Sequence, residues 1–278
     1  VGRQRREAET ISEPIDSGIA ELVPDLGGRQ SWTLRVNGTP QSHVDLDDPT
    51  YLEFEYVRRL GHVVDLTAPR RVLHLGGGAL TLARYVAATL PRSTQQVAEI
   101  DAGLIAFLRR SLPVPPGVRI STGDARAVLA RARPGSFDLV ISDVFAGART
   151  PAHLTSIEYV TQASAALGDD GIFAANVGDG GPLTFARAQA ATVAAVFPHV
   201  CVMAEPGVFR GRRFGNFVIL GSRISLPLPQ LIRATAGDPF PGRVEHGTEL
   251  SRFIGGLPPT TDATATKSPA PPSGLWGT

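Results

Sequence analysis

The sequence predicts an α/β fold: a mostly parallel sheet covered by helices, with a small antiparallel sheet ahead of it. Three observations carry that expectation. In Arg71–Asp101 an apolar run, Val72–Leu75, stops at Gly76, Gly77 and Gly78; a helical pattern of Leu80, Ala83, Tyr85, Val86 and Leu90 follows, and Val97–Ile100 closes the unit as a second apolar run. Apolar runs and helical patterns then keep alternating toward the C-terminal end. Upstream, Asn37-Gly38 separates two short strand-like segments, and this dipeptide is the strongest short-range hairpin signal.

In chain order, residues 1–14 are charged and weakly apolar, which predicts a disordered arm. Residues 15–66 read as a small β domain plus a helix. Its strands fall at Ile19–Val23, Trp32–Val36 and Gln41–Asp45. The helix opens near Thr50, three residues before Glu53, and runs to about Val64 with Leu52, Tyr56, Leu60 and Val63 on its buried face. Residues 67–256 read as the larger domain. Past the glycine unit come helix Ala102–Ser111, strand Val118–Thr122, helix Asp124–Ala132, strand Phe137–Ser142, helix Thr155–Leu167, strand Gly171–Val177 and helix Pro182–Phe197. The last two strands, His199–Ala204 and Asn216–Leu220, are separated by about 11 residues, too few for a helical crossover, so they pair antiparallel. One antiparallel strand near the end of an otherwise parallel seven-stranded sheet is the Rossmann-like arrangement of class I S-adenosylmethionine-dependent methyltransferases. Residues 257–278, rich in Pro, Thr, Ala and Ser, predict a disordered tail.

Composition narrows the function classes. A chain of 278 residues that is 42% hydrophobic has ample material for one core and a small addition. Formal net charge is +1, and Lys267 is the single lysine among arginines, so there is no polycationic footprint for nucleic acid. No apolar run approaches the ~20 residues of a membrane span, and the first residues lack the apolar core of a secretory signal, which predicts a cytoplasmic protein with no membrane partner. Cys201, the one cysteine, lies inside the apolar run Val200–Met203 and reads as a buried structural thiol. His43, His62, His74, His153, His199 and His246 are scattered without metal-ligand spacing, so no metal is expected, and His74, inside a strand, reads as a core histidine. There is no GxxxxGK[ST] loop and no GxSxG elbow, and Thr81 stands where GxGxxG places its last glycine.

In open α/β sheets, ligands sit at the carboxyl ends of the strands. The expected ends are Gly76–Gly78, Glu99, Asp124, Asp143, Asp179 and Glu205. Glu99, about 20 residues past the glycines, can accept hydrogen bonds from both hydroxyls of a ribose, so the unit predicts a nucleoside ligand. Several acids on one edge repel each other unless a cation offsets them, which favours a sulfonium nucleoside or an amine over a phosphorylated ligand. Asp124 opens a helix and reads equally as its N-cap. Asp143 precedes Val144–Gly147, a loop with no helix start, so a carboxylate there has little structural purpose.

The ordered set Gln41, Asp45, Tyr51-Leu52-Glu53-Phe54, Val72–Gly78, Ala98–Asp101, Gly123-Asp124-Ala125 and Phe137–Asp143 resembles the polyamine aminopropyltransferases, the spermidine synthase family. The similarity spans roughly Gly18–Ser222, and Asp143–Val160 most resembles the divergent spermidine synthase-like branch. The resemblance implies transfer of an aminopropyl group from decarboxylated S-adenosylmethionine to an amine such as putrescine, with methylthioadenosine as by-product and no metal. It assigns Asp143 to catalysis, Gly76, Gly77, Gly78, Glu99, Asp124 and Ala125 to the donor, and Gln41 and Tyr51 to the amine. It also implies a homodimer or larger homo-oligomer. Departures cluster in the amine half and at one donor position. Ala79 replaces the family's aspartate that holds the donor's amine, Leu52 follows the tyrosine, the loop after Asp143 lacks its second aspartate, Phe209 replaces a late tyrosine, and Arg210, Arg212 and Arg213 crowd one loop. These leave two alternatives open: a methyltransferase using intact S-adenosylmethionine, and a catalytically silent nucleoside-binding homologue.

Overall fold

Two β-sheets carry the chain in the computed structural model, which describes residues 9–25 and 30–272. The first sheet holds β1 (Ile11–Ile15), β2 (Gly18–Pro24), β3 (Ser31–Val36) and β4 (Thr39–Asp45), antiparallel and in that order. Asn37 and Gly38 turn β3 into β4 with φ of 50° and 75°, the pair of positive values a two-residue type I′ hairpin needs. β1 corrects the disordered-arm expectation for residues 11–14. It is short and largely exposed, so its order comes from pairing with β2, from Ile11 opposite Leu22 to Ile15 opposite Gly18. Residues 1–8 of that arm lie outside the described residues.

The larger unit follows: α1 (Glu55–Thr67), β5 (Arg71–Leu75), α2 (Thr81–Thr89), β6 (Thr94–Glu99), α3 (Ala102–Ser111), β7 (Val118–Thr122), α4 (Ala125–Arg131), β8 (Phe137–Ser142), α5 (Ile157–Ala166), β9 (Leu167–Asp179), α6 (Thr184–Ala194), β10 (His199–Ala204), α7 (Pro206–Phe209), β11 (Gly215–Ser222), α8 (Leu228–Ala236), β12 (Arg243–His246) and α9 (Gly247–Ile254). Its sheet runs β12-β10-β11-β9-β8-β5-β6-β7. The strands from β9 to β7 are parallel, while β11 is antiparallel to both β9 and β10. The sheet therefore has eight strands rather than seven. The extra one, β12, is a short polar segment on the edge beside β10, with no apolar period to announce it.

Alternate residues of the central strands face opposite layers. Val72, Leu139 and Ile141 pack with α1, α2 and α8, while Leu73, Leu75 and Val140 pack with α4, α5, α6 and α9. Burial on both faces is why these strands read as continuous apolar runs. Each leucine sealed there contributes about 1.5–3 kcal/mol. α1 opens at Glu55, later than the sequence pattern suggests. The acids before it serve turns instead: Asp45 Oδ1 accepts the Asp47 and Asp48 amides at 2.9 and 3.0 Å, and Asp48 Oδ1 accepts the Thr50 amide and hydroxyl. Residues 257–272 hold no helix or strand, yet they pack on the body rather than forming a disordered tail; Ser268 is fully buried. Their backbone groups, the Asp262 carboxylate and the Ser268 hydroxyl find partners on the larger domain, which composition alone does not reveal. Residues 273–278 lie outside the described residues.

The two sheets join through α3 and the glycine turn. Leu104, Phe107 and Leu108 of α3 pack on Ala20, Leu22 and Leu34. Asp101 caps α3 by accepting the Leu104 amide at 2.7 Å, and the same carboxylate accepts the Asp16 amide, the Ser17 amide at 2.8 Å and the Ser17 hydroxyl at 2.5 Å. Burial pushes the Asp101 pKa up, but the bonds from Ser17, Leu104 and Asp16 outweigh it and hold the carboxyl below its usual range. Asp101→Ala should therefore cost about 2–4 kcal/mol in urea unfolding at pH 7. A depressed folded pKa contributes stability above the unfolded value of about 4 and loses it as pH falls through the folded one, so the gap between variant and parent should narrow in acid.

Candidate functional site

The turns that leave β5, β6, β7 and β8 at their carboxyl ends line a cavity of about 230 Å³. Gly76, Gly77, Gly78, Glu99, Asp124, Ala125 and Asp143 all border it, and β4 lends Gln41 and Ser42 from the smaller sheet. No lysine or arginine is among the described residues of its wall. Such a lining suits a neutral or cationic ligand and gives a phosphate nothing to pair with.

Gly76 and Gly78 are required by positive φ and by what surrounds them, and Gly77 sits in a tight gap. A Cβ on Gly76, whose φ is +93°, would lie 2.1 Å from the Asp143 carbonyl oxygen. One on Gly77 would come within 3.2 Å of the Glu99 carboxylate, and one on Gly78 within 2.6 Å of the Ser42 hydroxyl. The neighbouring strand ends and β4 thus close on the turn from three sides. Ser42 Oγ accepts the Ala79 amide at 2.8 Å, and the Thr81 hydroxyl donates to the His43 carbonyl at 2.8 Å. Ala79 is wholly buried and does not border the cavity.

Glu99 ends β6 and turns inward. Its Oε2 accepts the Gly77 amide at 2.9 Å and its Oε1 the Asp101 amide at 3.0 Å. Two backbone donors fix the plane of the carboxylate beside the glycine turn and leave each oxygen a free lone pair. Asp143 follows β8 and accepts Asn176 Nδ2 of β9 at 2.8 Å on Oδ1. Tyr56, in the first turn of α1, donates its hydroxyl to the same carboxylate. Burial pushes the Asp143 pKa above the usual carboxylate range, and the bonds from Asn176 and Tyr56 offset only part of that. Burial, followed by the Asp143 charge, drives the Tyr56 phenol well above its ordinary value, so it stays a donor.

Tyr51 does not reach the cavity. It is 41% exposed, its hydroxyl bonds to Glu53, and its ring sits edge-on to His43 beneath Arg58. The residue lies ahead of α1, whereas Tyr56 lies on the face that carries Val57 and Leu60 to the cavity wall. The helical pattern already put Tyr56 on the buried face, and a buried phenol needs a polar partner, which was the usable signal. Gln41 borders the cavity with its Nε2 3.5 Å from the carbonyls of Thr39 and Gly147. Asp124 does both things its position allowed. Its Oδ1 caps α4 through the Ala127 amide at 3.1 Å, and its Oδ2 is 2.7 Å from His153 Nε2 at the cavity edge. Pattern reading missed His153, because its partner is distant in sequence.

Other candidates serve the framework. Asp179 accepts the amides of Gly180 and Ala186 and anchors the start of α6. Glu205 pairs with Arg213 and lies 4.0 Å from the buried Arg59. Arg210, Arg212 and Arg213 are exposed. Phe209 packs edge-on against Phe217 and Phe253, and Leu52 is buried. His74 bonds Gln95 at 2.8 Å, with burial lowering its pKa to about 4. Burial raises the Cys201 thiol to about 12. Among the described residues, no group of three or more His, Cys, Asp or Glu is placed to hold a metal, and no helix is long and apolar enough to cross a membrane.

Comparison with known proteins points one way. A family model described as the spermine/spermidine synthase domain matches residues 53–196. The chain is 28% identical over 213 residues to a polyamine aminopropyltransferase of Vibrio vulnificus, covering 71% of this chain and 67% of the relative. It is 28% identical over 262 residues to the polyamine aminopropyltransferase of Chromobacterium violaceum, covering 88% and 94%. The crystal structure of a probable spermidine synthase from Corynebacterium glutamicum superimposes with a TM-score of 0.85 at 32% identity, over 92% of this chain and 97% of that one.

The crowding of the glycine turn has a measurable consequence. Gly76→Ala should destabilise the protein by about 3 kcal/mol or more in urea unfolding, through positive φ and the clash with Asp143. Gly147→Ala, also at positive φ but with nothing within 4 Å of the new Cβ, should cost only about 1 kcal/mol.

Proposed function

Because the chain belongs to the spermine/spermidine synthase domain family, we propose that it transfers an aminopropyl group from decarboxylated S-adenosylmethionine to an amine acceptor such as putrescine, releasing methylthioadenosine. The observation that carries the reading is the pairing of a nucleoside-type grip, Glu99 beside the glycine turn, with a half-buried carboxylate, Asp143, on the same cavity.

In this reading the donor's adenosine lies along the glycine turn. Glu99 accepts the ribose hydroxyls with its remaining lone pairs, the Asp124–Ala125 turn meets the adenine, and Gln41 and Ser42 border the cavity from the smaller sheet. The acceptor nitrogen lies against Asp143. A free alkylamine has a pKa near ~10 and is protonated at neutral pH, so it must give up a proton before its lone pair can attack. Asp143 orients it and accepts that proton. The nitrogen then forms a bond to the carbon beside the sulfonium, the carbon–sulfur bond breaks, and its electron pair returns to sulfur as a neutral thioether. The leaving group already carries its positive charge, which is why no Lewis acid is called for. Tyr56 and Asn176 hold the Asp143 carboxylate still. Tyr51, which the resemblance gave to the amine, is not on the cavity wall, whereas Tyr56 is. Since Ala79 is buried and has no carboxylate, discrimination against a donor that retains its own carboxylate falls to the shape of the cavity. Two further expectations rest on the family alone: a homodimer or larger homo-oligomer, and a cytoplasmic location.

Turnover with the decarboxylated donor and a panel of diamines, followed by methylthioadenosine release, tests the reading. Asp143→Asn should lower the rate by about 100-fold or more. The same change should leave the melting temperature at pH 7 unchanged or higher. A folded pKa raised above the unfolded one means stability is lost as pH rises through that window, and the amide removes the penalty. Release of S-adenosylhomocysteine from intact S-adenosylmethionine would overturn the reading in favour of methyl transfer. Nucleoside binding without turnover on any amine would mark a silent homologue.

The pH profile gives an independent check. Asp143 acts as an anion, so the acidic limb of kcat/KM should lie above the ordinary carboxylate range. Asn176→Ala and Tyr56→Phe each remove a bond that lowers the Asp143 pKa, so each should move that limb to higher pH. A limb that stays in place in both variants would show that Asp143 does not carry the titration.

A further inference from the structure

Residues 257–272, though free of regular structure, run beside the segment after β8 that gives the cavity Phe145, Pro151, His153 and Leu154. Their contacts are specific. The Ile157 amide donates to the Thr260 carbonyl at 2.8 Å, and the Thr260 amide to the Thr192 hydroxyl of α6 at 2.8 Å. Thr150 donates its amide to Ser268 Oγ at 2.8 Å and accepts the Ser268 amide on its carbonyl at 3.1 Å, with Ser268 itself fully buried. Asp262 is the busiest residue. Its carboxylate takes a two-pronged bond from Arg126 Nη1 and Nη2 at 2.7 and 2.6 Å and also accepts the Ser156 hydroxyl, while its amide donates to Glu158 at 2.9 Å.

Those partners stand at the beginnings of two helices. Arg126 lies in the first turn of α4, next to Ala125 and beyond Asp124, and Ser156 is the N-cap of α5. Arg126 Nη1 also donates to the His153 carbonyl at 3.2 Å, and His153 Nε2 meets Asp124 Oδ2 at 2.7 Å. A continuous polar path therefore leads from Asp262 through Arg126 and His153 to Asp124 on the cavity wall. Exposed ion pairs add little stability, but a bidentate guanidinium–carboxylate pair fixes direction as well as distance. The expected effect is on the shape of the wall rather than on global stability.

We propose that residues 257–272 are a strap that sets the adenine side of the donor site, with Asp262 as a positioning residue acting through Arg126 and His153. The proposal rests on the donor reading above. Its test uses the full chain with Asp262→Ala, Asp262→Glu, His153→Ala and the Asp262→Ala/His153→Ala pair. The readouts are calorimetric binding of methylthioadenosine, donor and acceptor KM, kcat, and hydrogen exchange across residues 144–156. Asp262→Ala should raise the methylthioadenosine Kd and the donor KM about ten-fold, the scale of one lost charge-assisted bond. It should leave kcat and acceptor KM within about two-fold and speed exchange in 144–156. Asp262→Glu should recover part of the loss, and the double variant should bind no worse than His153→Ala alone, because the two residues act in series. A lowered melting temperature with unchanged donor KM and Kd would overturn the strap as a positioning device, and so would additive losses in the double variant. If the parent chain itself fails to bind methylthioadenosine, the donor reading falls and takes the strap with it, an outcome distinct from a parent and an Asp262→Ala variant that bind equally well.

Discussion

The carboxylate of Glu99, held by the Gly77 amide on one oxygen and the Asp101 amide on the other, is the interaction on which the site depends. It ties the end of β6 to the turn after β5 and fixes a carboxylate on the cavity wall, where the proposed donor would place its sugar. The same neighbourhood explains the glycines. Gly76 has no side chain because the Asp143 backbone occupies the space, Gly78 because Ser42 does, and at Gly77 Glu99 leaves only a tight gap. Glycine richness is usually credited to close approach of a ligand, but here the protein's own strand ends and β4 already demand it. Through Asp101 the constraint spreads outward, since the carboxylate that starts α3 also receives Asp16 and Ser17 of the smaller sheet. The two sheets are thus locked together within a few residues of the ribose-type grip.

Asp143 shows the opposite economy. Burial makes its charge unfavourable, and only Asn176 and Tyr56 relieve it. A group held so is poorly suited to stabilising a fold, and its raised pKa makes it a better proton acceptor than an ordinary carboxylate. Asp179, also buried and also raised, has both oxygens committed to backbone amides at the start of α6. The contrast between these two acids, one facing the cavity and one sealed into a helix start, is why the proposed chemistry is placed on Asp143 and not on Asp179.

Much of this was legible from residue order. The central strands carry unbroken apolar runs because both faces are buried, and strand ends are easy to locate when a glycine or an acid follows at once. That is why Gly76–Gly78, Glu99, Asp124, Ala125 and Asp143 fall on one cavity. What pattern could not show is held by partners distant in sequence. β1 and β12 are short strands ordered by the edges they join, and residues 257–272 are ordered by backbone groups, the Asp262 carboxylate and the Ser268 hydroxyl, which reach α5, α6, Arg126 and Thr150. Tyr56 rather than Tyr51 borders the cavity, and α1 opens only at Glu55, after Asp45 and Asp48 have capped turns of their own. Asn176 and His153 had no local signal; each matters only because another strand end lies opposite.

The account comes down to whether an adenosine lodges against the glycine turn with its sugar on Glu99. The most direct measurement is calorimetric titration of methylthioadenosine into the parent chain and into Glu99→Gln. The parent should bind, and the amide, which keeps the size but loses the charge and one acceptor, should weaken binding about ten-fold or more. Equal affinity in the two proteins would contradict the account, because the carboxylate at the end of β6 would then not be holding the sugar.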